Sequence, residues 1–296
     1  MSKEELAVVR QILQTNNPLS GKDIPTMRAS MDAATAAAPR PEDVRYEPVD
    51  AGGVPAEWTI APESRDERSI VYFHGGGYAI GSIESHRGLV TRLARAAKAR
   101  VLSVDYRLGP EHPYPAAVED GVAAFDFVAS QGTSPSSIAL AGDSAGGGLT
   151  AATLVALRDQ GKPLPAAAAC ISPWLDLTLS GDSVKTKADE DPLVEEGMLR
   201  MMADAYIGRG DAKSPTASPL FADLTGLPPT LVQVGSAEIL LDDSTRFAEC
   251  AGRAGVELEL RIWPDMIHVW HAFADLLSEG REAIEEIAVF LEPRLS

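Results

Sequence analysis

The sequence predicts an α/β fold in which helices flank a mostly parallel sheet. Short β-rich runs alternate with helical patterns from Ser69 to the end of the chain, and this alternation is typical of β-α-β units. The β-rich runs are apolar and bordered by Gly and Pro, as expected of strands buried on both faces. The 296 residues, 45% of them hydrophobic, suffice for one large α/β unit.

The predicted strands and helices follow one another in a regular order. The strands are expected at residues 69–73, 99–106, 136–142, 165–172, 229–235 and 256–263. The helices are expected at residues 86–99, 115–130, 144–160, 242–255 and 278–292. A helix between two strands returns the chain to the start of the next strand, as a parallel sheet requires.

Two stretches interrupt this alternation. Residues 1–40 contain a short predicted helix at 3–14 and an Ala-rich segment that ends at Pro39 and Pro41. Residues 175–225 lack strand character and contain a predicted apolar helix, which spans Val194 to Tyr206. An insertion of this size between two strands that includes an apolar helix favours a lid over a disordered loop.

Composition and charge restrict the possible partners and location. The 26 basic and 43 acidic residues give a formal net charge of −17, which repels phosphate backbones and anionic lipids. Nucleic acids and membrane surfaces are therefore not expected as partners. Cys170 and Cys250 show no disulfide-scaffold or metal-ligand pattern, and the longest nearly apolar stretch, 145–157, is shorter than the roughly 20 residues of a membrane span. Because the N-terminus also lacks a signal-peptide pattern, a reducing, cytoplasmic location is expected.

The strongest chemical signal is the segment Gly142-Asp143-Ser144-Ala145-Gly146-Gly147. It follows a predicted strand and opens a predicted helix, which is the context of a nucleophile elbow. Ser144 would turn off the strand with a strained backbone, so the residues two positions away, Gly142 and Gly146, must be nearly free of side chains. The Ala145 amide would then be free to donate to an oxyanion. The alternative interpretation is a Gly-rich turn that only packs tightly.

A second signal is His74-Gly75-Gly76-Gly77, directly after the first predicted strand. Consecutive glycines let backbone amides approach a reacting carbonyl oxygen, and the motif is typical of the oxyanion loops of lipases and esterases. A flexible turn or a phosphate cradle is the alternative, but no Gly-Lys-Ser/Thr and no spaced Gly-x-Gly-x-x-Gly accompanies it. His74 is expected to orient the loop by hydrogen bonding rather than to act as a base.

A hydroxyl nucleophile needs a base, and the base needs an acid that fixes its tautomer. In hydrolases of this architecture the acid and then the histidine follow the serine along the chain. Two histidines lie downstream of Ser144. His268 comes just after a predicted strand, where a loop is expected, and is favoured over His271, which is expected in the next helix.

The acid is expected shortly after the strand at 229–235. Glu238 lies three residues beyond Gly235. Asp242 and Asp243 compete for the role, but both also suit N-capping of the helix that follows. Glu238 has no such structural alternative and is favoured.

These motifs together resemble the hormone-sensitive lipase family of bacterial esterases, within the α/β-hydrolase superfamily. The resemblance extends from about Pro55 to the C-terminus and rests on HGGG (74–77), DYRLGPEHPYPAAVED (105–120), GDSAGG (142–147), SPWLDLT (172–178), SPLFADLTGLPP (218–229) and MIHVW (266–270). It implies an α/β-hydrolase fold with a helical cap built from an N-terminal segment and an insertion. Residues 1–40 and 175–225 match these parts, which leaves 41–174 and 226–296 as the two parts of the core.

The resemblance also implies roles for individual residues. The family's elbow serine corresponds to Ser144 and its histidine to His268. Its acid commonly opens an Asp-Pro-Leu sequence, whereas this chain has Glu238-Ile239-Leu240 at that place, so a carboxylate longer by one methylene would take the role. The oxyanion donors correspond to the backbone amides of Gly75, Gly76 and Ala145.

The segment 105–120 is expected to support the oxyanion loop. Two prolines around Tyr114 stiffen it. Its polar side chains are expected to form a buried network beneath the glycines; they are Asp105, Arg107, Glu111 and His112. Metal ligation by Glu111 and His112 is disfavoured because no second histidine lies at helical spacing.

The sequence therefore predicts a carboxylic ester hydrolase that acts on short to medium acyl esters through a Ser-His-Glu triad and an acyl-enzyme, with no metal or cofactor. Met198, Met201 and Met202 suggest an adaptable apolar acyl pocket, although core packing explains each side chain as well. A lactonase or amidase is the main alternative. A non-catalytic ligand receptor is disfavoured by the retained histidine, and a chymotrypsin-like protease by the Ser-first order. The strand at 256–263 could pair across a homodimer as an edge strand.

Overall fold

The computed structural model describes residues 2–15, 17, 19, 21–35 and 40–296. An eight-stranded sheet has the order β1-β2-β4-β3-β5-β6-β7-β8. The strands are β1 (Arg45–Asp50), β2 (Pro55–Ile60), β3 (Arg65–Phe73), β4 (Ala99–Val104), β5 (Ile138–Asp143), β6 (Ala167–Ile171), β7 (Thr230–Gly235) and β8 (Leu258–Trp263). The β1–β2 and β2–β4 pairs are antiparallel and the other pairs are parallel. The expected mostly parallel α/β sheet is confirmed.

The sequence patterns do not predict β1 and β2. β1 is an edge strand with mostly exposed side chains, and it contains Pro48, so it lacks the apolar run of a buried strand. Gly52 and Gly53 have φ values of 74° and 93°, and the Gly53 amide donates to the Asp50 carboxylate. This turn closes β1 and β2 into a hairpin that extends the parallel sheet.

Helices cover both faces of the sheet. They are α1 (Lys3–Thr15), α2 (Ile24–Thr35), α3 (Ile83–Ala97), α4 (Ala116–Ser130), α5 (Ala145–Asp159), α6 (Ser183–Thr186), α7 (Glu196–Ile207), α8 (Leu241–Arg253) and α9 (Ser278–Leu291). Leu93 of α3 and Ile284 of α9 are buried in one apolar core. Phe125 of α4, Leu149 of α5 and Phe247 of α8 are buried in the other. Burial on both faces explains why the central parallel strands β5 and β6 are buried along their whole length.

Helix α7 lies in the expected insertion, residues 175–225, which is called the cap insertion below. The Tyr206 ring of α7 stacks on the Tyr78 ring, with 3.9 Å between centroids and 6° between planes. A Cβ atom at Gly77 would collide with the side chain of Met202. The Tyr114 amide donates to the Tyr206 carbonyl oxygen at 2.7 Å. Helix α7 therefore packs directly on the loop that follows β3.

The N-terminal residues also pack against this loop. Arg28 of α2 donates to the carbonyl oxygen of Ala79 at 2.7 Å and to that of Gly109 at 2.9 Å. The helix expected at 3–14 is present as α1, whereas residues 36–39 of the expected Ala-rich segment lie outside the described residues. Over the described part of the chain, no helix is both long enough and apolar enough to cross a bilayer.

The buried polar network expected in segment 105–120 is not formed. The side chains of Asp105, Glu111 and His112 are exposed. Glu111 instead pairs with Arg28 at 2.8 Å, and Arg107 binds Asp120 of α4 at 2.9 Å. The expectation is wrong because these side chains are exposed and not buried beneath the glycines, and because Glu111 finds its partner in α2, outside the segment.

Candidate active site

The loops that carry the sequence-predicted site residues leave the carboxyl ends of neighbouring parallel strands. Ser144 directly follows β5 and His74 directly follows β3, while Glu238 and His268 lie shortly after β7 and β8. The carboxyl ends of parallel strands meet at one edge of a sheet, where α/β folds bind ligands. Ser144 and His268 accordingly line the same cavity.

Ser144 has the backbone of a nucleophile elbow. Its φ of 54° and ψ of −121° lie in a region that non-glycine residues rarely adopt. A Cβ atom at Gly146 would collide with the carbonyl oxygen of Phe73, and one at Gly142 with that of Gly146. The turn is held by the Ser144 amide, which donates to the Ile171 carbonyl oxygen at 2.8 Å. The expected strand–turn–helix context is therefore present, and the glycines are required by the close approach of β3.

His268 is buried beside Glu238. Its Nδ1 atom lies 3.4 Å from Oε1 of Glu238, and only 3% of the histidine surface is exposed. Burial alone would lower the pKa of His268, but the hydrogen bond to Glu238 and that carboxylate's charge raise it above the ordinary value, with smaller contributions from Asp191 and Asp143. With Nδ1–H directed at Glu238, Nε2 is the ring nitrogen left for a different partner.

Glu238 is fixed by two donors to its other oxygen. Oε2 accepts hydrogen bonds from the Ser172 hydroxyl at 2.8 Å and from the Gly235 amide at 3.1 Å. The Ser172 oxygen in turn accepts a hydrogen bond from the Val269 amide at 3.1 Å. Since Val269 directly follows His268, one hydroxyl group connects the glutamate to the backbone of the histidine loop.

Asp242 and Asp243 hold the cap insertion instead of facing His268. The Asp242 carboxylate accepts from the Ser183 amide at 2.8 Å. The Asp243 carboxylate accepts from the amides of Leu175 and Asp176 at 2.8 and 2.9 Å, and burial raises the pKa of Asp243 to about 8. Helix α8 has no side-chain N-cap, so the N-capping interpretation is wrong. Of the three candidate acids, Glu238 is the one that contacts His268.

His271 is engaged away from the cavity. It lies in a short 3-10 helix, Trp270–Phe273, rather than in the expected α-helix. Its Nε2 atom lies 2.8 Å from Oε1 of Gln233, and burial lowers its pKa to about 3. A neutral, buried imidazole bonded to a glutamine is a packing residue at this site.

The oxyanion loop differs from the expectation at one glycine. The Gly75 amide donates to Oδ1 of Asp143 at 3.1 Å and also lies 3.2 Å from Nε2 of His86, so it is not free to donate into the cavity. Gly76 and Gly77 line the cavity, whereas Gly75 does not. The expected assignment of Gly75 as an oxyanion donor is therefore wrong, because Asp143 already occupies its N–H.

His74 orients the loop from behind. Its Nδ1–H donates to the Gly75 carbonyl oxygen at 2.8 Å, and its ring stacks on Tyr106 with 4.4 Å between centroids. Burial lowers its pKa to about 3, so the ring is neutral. These contacts agree with the expectation of a loop-orienting histidine rather than a base.

Asp143 connects the elbow to the oxyanion loop. Its Oδ1 accepts from the Tyr72 hydroxyl at 2.7 Å, in addition to the Gly75 amide. His86 lies beside it, with Nε2 3.3 Å from Oδ2. Burial by itself would lower the pKa of His86, but the Asp143 charge raises it overall. The residue before Ser144 thus fixes the distance between the two loops.

The cavity above Ser144 has a volume of about 130 Å³. Its polar lining consists of the backbone of Gly76 and Gly77 and the side chains around Ser144. The rest of the wall is apolar and comes from the cap insertion, the N-terminal residues and the histidine loop: Leu19, Met31, Ile80, Leu193, Val194, Met198, Leu199, Met202, Val269, Ala272 and Phe273. Met198 and Met202 thus line the cavity as expected, whereas Met201 packs against the apolar core instead.

Sequence reasoning missed several residues that shape this site. Asp143 and Ser172 lie within the GDSAGG and SPWLDLT motifs, so the motifs already contained them without indicating a contact. His86 and Asp191 have no local signal of their role at the site, because the partners that connect them to it, Asp143 and Ile239, are distant in sequence. Among the residues with described positions, no three His, Cys, Asp or Glu side chains are grouped as metal ligands.

Comparison with known proteins places the chain in a family. A sequence model of the alpha/beta hydrolase fold matches residues 70–272. The chain is 45% identical over 295 residues to an acetyl-hydrolase of Streptomyces hygroscopicus, covering 98% of this chain and 97% of that protein. It is 37% identical to an esterase of Acinetobacter venetianus, covering 89% of this chain and 87% of that protein.

Solved structures agree with these relatives over the whole chain. An esterase from the bacterial hormone-sensitive lipase family superposes with a TM-score of 0.96 at 46% identity, covering 100% of both chains. The esterase EstE5, in a crystal soaked with p-nitrophenyl butyrate, superposes with a TM-score of 0.95 at 46% identity, covering 99% of both chains. The chain therefore belongs to the hormone-sensitive lipase family of the α/β-hydrolases and is a serine carboxylesterase.

Proposed function

We propose that this esterase cleaves small, uncharged esters of short to medium acyl chains with Ser144 as nucleophile, His268 as base and Glu238 as acid. One observation carries the proposal. Ser144, on a strained elbow, and His268, held by Glu238, line a single apolar cavity beneath the triple-glycine loop.

The reaction follows from the hydrogen bonds of the imidazole. Because Nδ1–H of His268 is directed at Glu238, Nε2 accepts the proton as Ser144 Oγ attacks the carbonyl carbon. The Glu238 carboxylate stabilises the imidazolium that forms. His268 then protonates the leaving alcohol, and a water activated by the same histidine releases the acid from the acyl-serine.

The oxyanion is stabilised by backbone amides. We assign this role to Gly76, Gly77 and Ala145, with Gly77 in place of Gly75. Gly76 and Gly77 line the cavity, and Ala145 is the first residue of α5, where an amide has no acceptor within the helix and the helix dipole favours negative charge. Each such donor contributes about 3 kcal/mol to transition-state stabilisation in comparable sites.

The substrate range follows from the cavity wall. Apolar side chains surround the space beside Ser144, and its volume is about 130 Å³. A charged acyl group would be desolvated against these apolar side chains, which costs several kcal/mol. A short hydrocarbon chain fits this space, and the flexible side chains of Met198 and Met202 accommodate different chain lengths.

Cleavage of an acetyl amide is the second candidate. The Streptomyces relative is called an acetyl-hydrolase, a name that leaves the bond type open, and the same residues could cleave an amide or a lactone. The two activities are separated by comparing an acetyl ester with the matching acetyl anilide. A ratio of kcat/KM that favours the anilide would make amide hydrolysis the main function.

The proposal includes a cytoplasmic location, supported by Cys170 and Cys250, which are both free thiols. Such thiols persist in reducing compartments. It requires no metal or cofactor, because the three side chains and the amides account for each proton transfer and charge in the reaction.

The proposed nucleophile is tested by Ser144→Ala. We expect kcat for p-nitrophenyl butyrate to fall at least about a thousandfold, with an unchanged circular dichroism spectrum. Ser130→Ala, on the exposed end of α4, is the matched control. A serine-directed sulfonyl fluoride should add to the peptide that contains Ser144 in the wild type and should not add to it in Ser144→Ala. An active Ser144→Ala variant or an adduct on another serine would refute the assignment.

A further inference from the structure

A second buried carboxylate lies close to the proposed triad. Asp191 belongs to the cap insertion, between α6 and α7, and 7% of its surface is exposed. Its Oδ1 atom accepts hydrogen bonds from the amides of Leu193 and Val194, both at 3.0 Å. Its Oδ2 atom accepts from the amide of Ile239 at 3.1 Å. The two oxygens therefore hold two segments that are far apart in sequence.

Both segments form part of the proposed active site. Ile239 directly follows Glu238, so its amide is an anchor point of the loop that presents this carboxylate to His268. Leu193 and Val194 line the cavity above Ser144. Asp191 thus joins the cavity wall of the cap insertion to the acid-bearing loop of the core, beside Ser183, whose hydroxyl donates to the Ile239 carbonyl oxygen at 2.7 Å.

The charge of Asp191 also acts on His268. Burial raises the pKa of Asp191, and the charge of His268 lowers it in part. In return, Asp191 helps to raise the pKa of His268, after the larger contribution of Glu238. The backbone N–H groups of Leu193 and Val194 favour the charged form of Asp191 and oppose the effect of burial on its pKa. The other titratable groups that act on the imidazole are Glu238, Asp143 and the neutral His271.

We propose that Asp191 is a positioning residue of the reaction: it fixes the Glu238 loop through the Ile239 amide and adds a second negative charge that stabilises the His268 imidazolium. This inference rests on the proposed function of the triad. The Glu238–His268 distance of 3.4 Å is long for a charge-assisted hydrogen bond, so the stability of the imidazolium is sensitive to how the Glu238 loop is held and to Asp191, whose charge also acts on the ring.

The test compares Asp191→Asn with Asp189→Asn, an exposed control that removes the same charge two residues away. Asparagine keeps one acceptor for Leu193 and Val194, but its NH₂ group faces the Ile239 N–H. We expect kcat for p-nitrophenyl butyrate to fall about tenfold with KM within about twofold, because supporting contacts of this kind carry about tenfold to a hundredfold in rate. The acidic limb of the kcat/KM profile should move to lower pH by about half a unit, because the imidazolium loses a stabilising charge.

A second variant keeps the inference testable if Asp191→Asn does not fold. In Asp191→Ser the short hydroxyl group can still accept from the local amides of the turn, while the charge and the contact with Ile239 are lost. The same decrease in kcat and the same shift of the acidic limb are expected. If a folded variant has the wild-type kcat and pH profile, or if only KM increases, Asp191 serves only to shape the cavity wall and the inference is overturned.

The outcomes separate this inference from the proposed function. If the wild type hydrolyses the ester and Ser144→Ala does not, the triad stands, and the Asp191 variants test the inference alone. If Ser144→Ala remains active, the proposed function itself fails. In that case an unchanged acidic limb in Asp191→Asn also removes the inference, because Asp191 then has no base to support.

Discussion

Replacing Ser172 with alanine removes the hydroxyl group that joins Glu238 to the His268 loop. This group is fully buried; it donates to the Glu238 carboxylate at 2.8 Å and accepts from the Val269 amide at 3.1 Å. Alanine leaves the carboxylate with the Gly235 amide on that oxygen and leaves a buried N–H without an acceptor. The φ of 43° at this position is equally strained for both residues, so the substitution reports on the hydrogen bonds.

The expected loss of unfolding free energy follows from the loss of these two hydrogen bonds. A hydrogen bond to a carboxylate contributes about 1.5–3 kcal/mol, and a buried N–H without an acceptor costs about 1–3 kcal/mol. We expect the free energy of unfolding to fall by about 2.5–6 kcal/mol in total. A chain of 296 residues has an unfolding entropy of about 0.6 kcal/mol/K, so Tm should fall by about 4–10 °C.

Activity should fall because the orientation of Glu238 is no longer fixed. We expect kcat for p-nitrophenyl butyrate to decrease about tenfold, with KM nearly unchanged because Ser172 does not line the cavity. Calorimetry and steady-state kinetics measure the two effects. The matched control is Ser218→Ala in the cap insertion, which also removes a buried hydroxyl with one donated and one accepted backbone hydrogen bond. If both variants lose Tm equally and neither loses kcat, the connection from Ser172 to the proposed triad is refuted.

Three further predictions concern pH, the cavity and assembly. Since the pKa of His268 is raised above 6.5 and only neutral imidazole accepts a proton, kcat/KM should fall as pH decreases, with a midpoint above that value; a profile that is flat from about pH 5 to pH 8 would exclude His268 as the base. Met202→Ala should increase kcat/KM for the octanoate ester relative to the butyrate ester about tenfold, as about two methylene groups of space are opened. Met201→Ala, outside the cavity, should leave this ratio unchanged, and equal ratios in both variants would contradict the assignment. β8 is an edge strand with Ile262 46% exposed, and homodimer pairing through it predicts a dimer in sedimentation velocity at micromolar concentration; a pure monomer would remove this prediction.

The parts of the site that depend on adjacent residues could be predicted from the sequence. The elbow at Ser144 needs a strand, a turn and a helix that are contiguous, so the sequence contains all of its determinants. The central parallel strands β5 and β6 were predictable because each is an apolar run. β1 was not, since an edge strand with exposed side chains and Pro48 has no such run.

The errors concern groups whose partners are distant in sequence. Whether the Gly75 amide is free depends on Asp143, 68 residues away. Whether Asp242 caps its own helix depends on the Ser183 amide, 59 residues away. No local pattern carries such information, because a carboxylate can satisfy its hydrogen bonds with any donor that the fold brings near it.

The contact between α7 and the triple-glycine loop has a consequence for engineering. Tyr206 and Met202 contact Tyr78 and Gly77, so the cap insertion packs directly against the proposed oxyanion donors. A chimaera that receives the cap insertion of another esterase would carry side chains that match the triple-glycine loop of that other esterase and not the loop of this chain. Such exchanges should preserve turnover when the cap insertion and the triple-glycine loop are exchanged together. They should slow the chemical step when the cap insertion is exchanged alone.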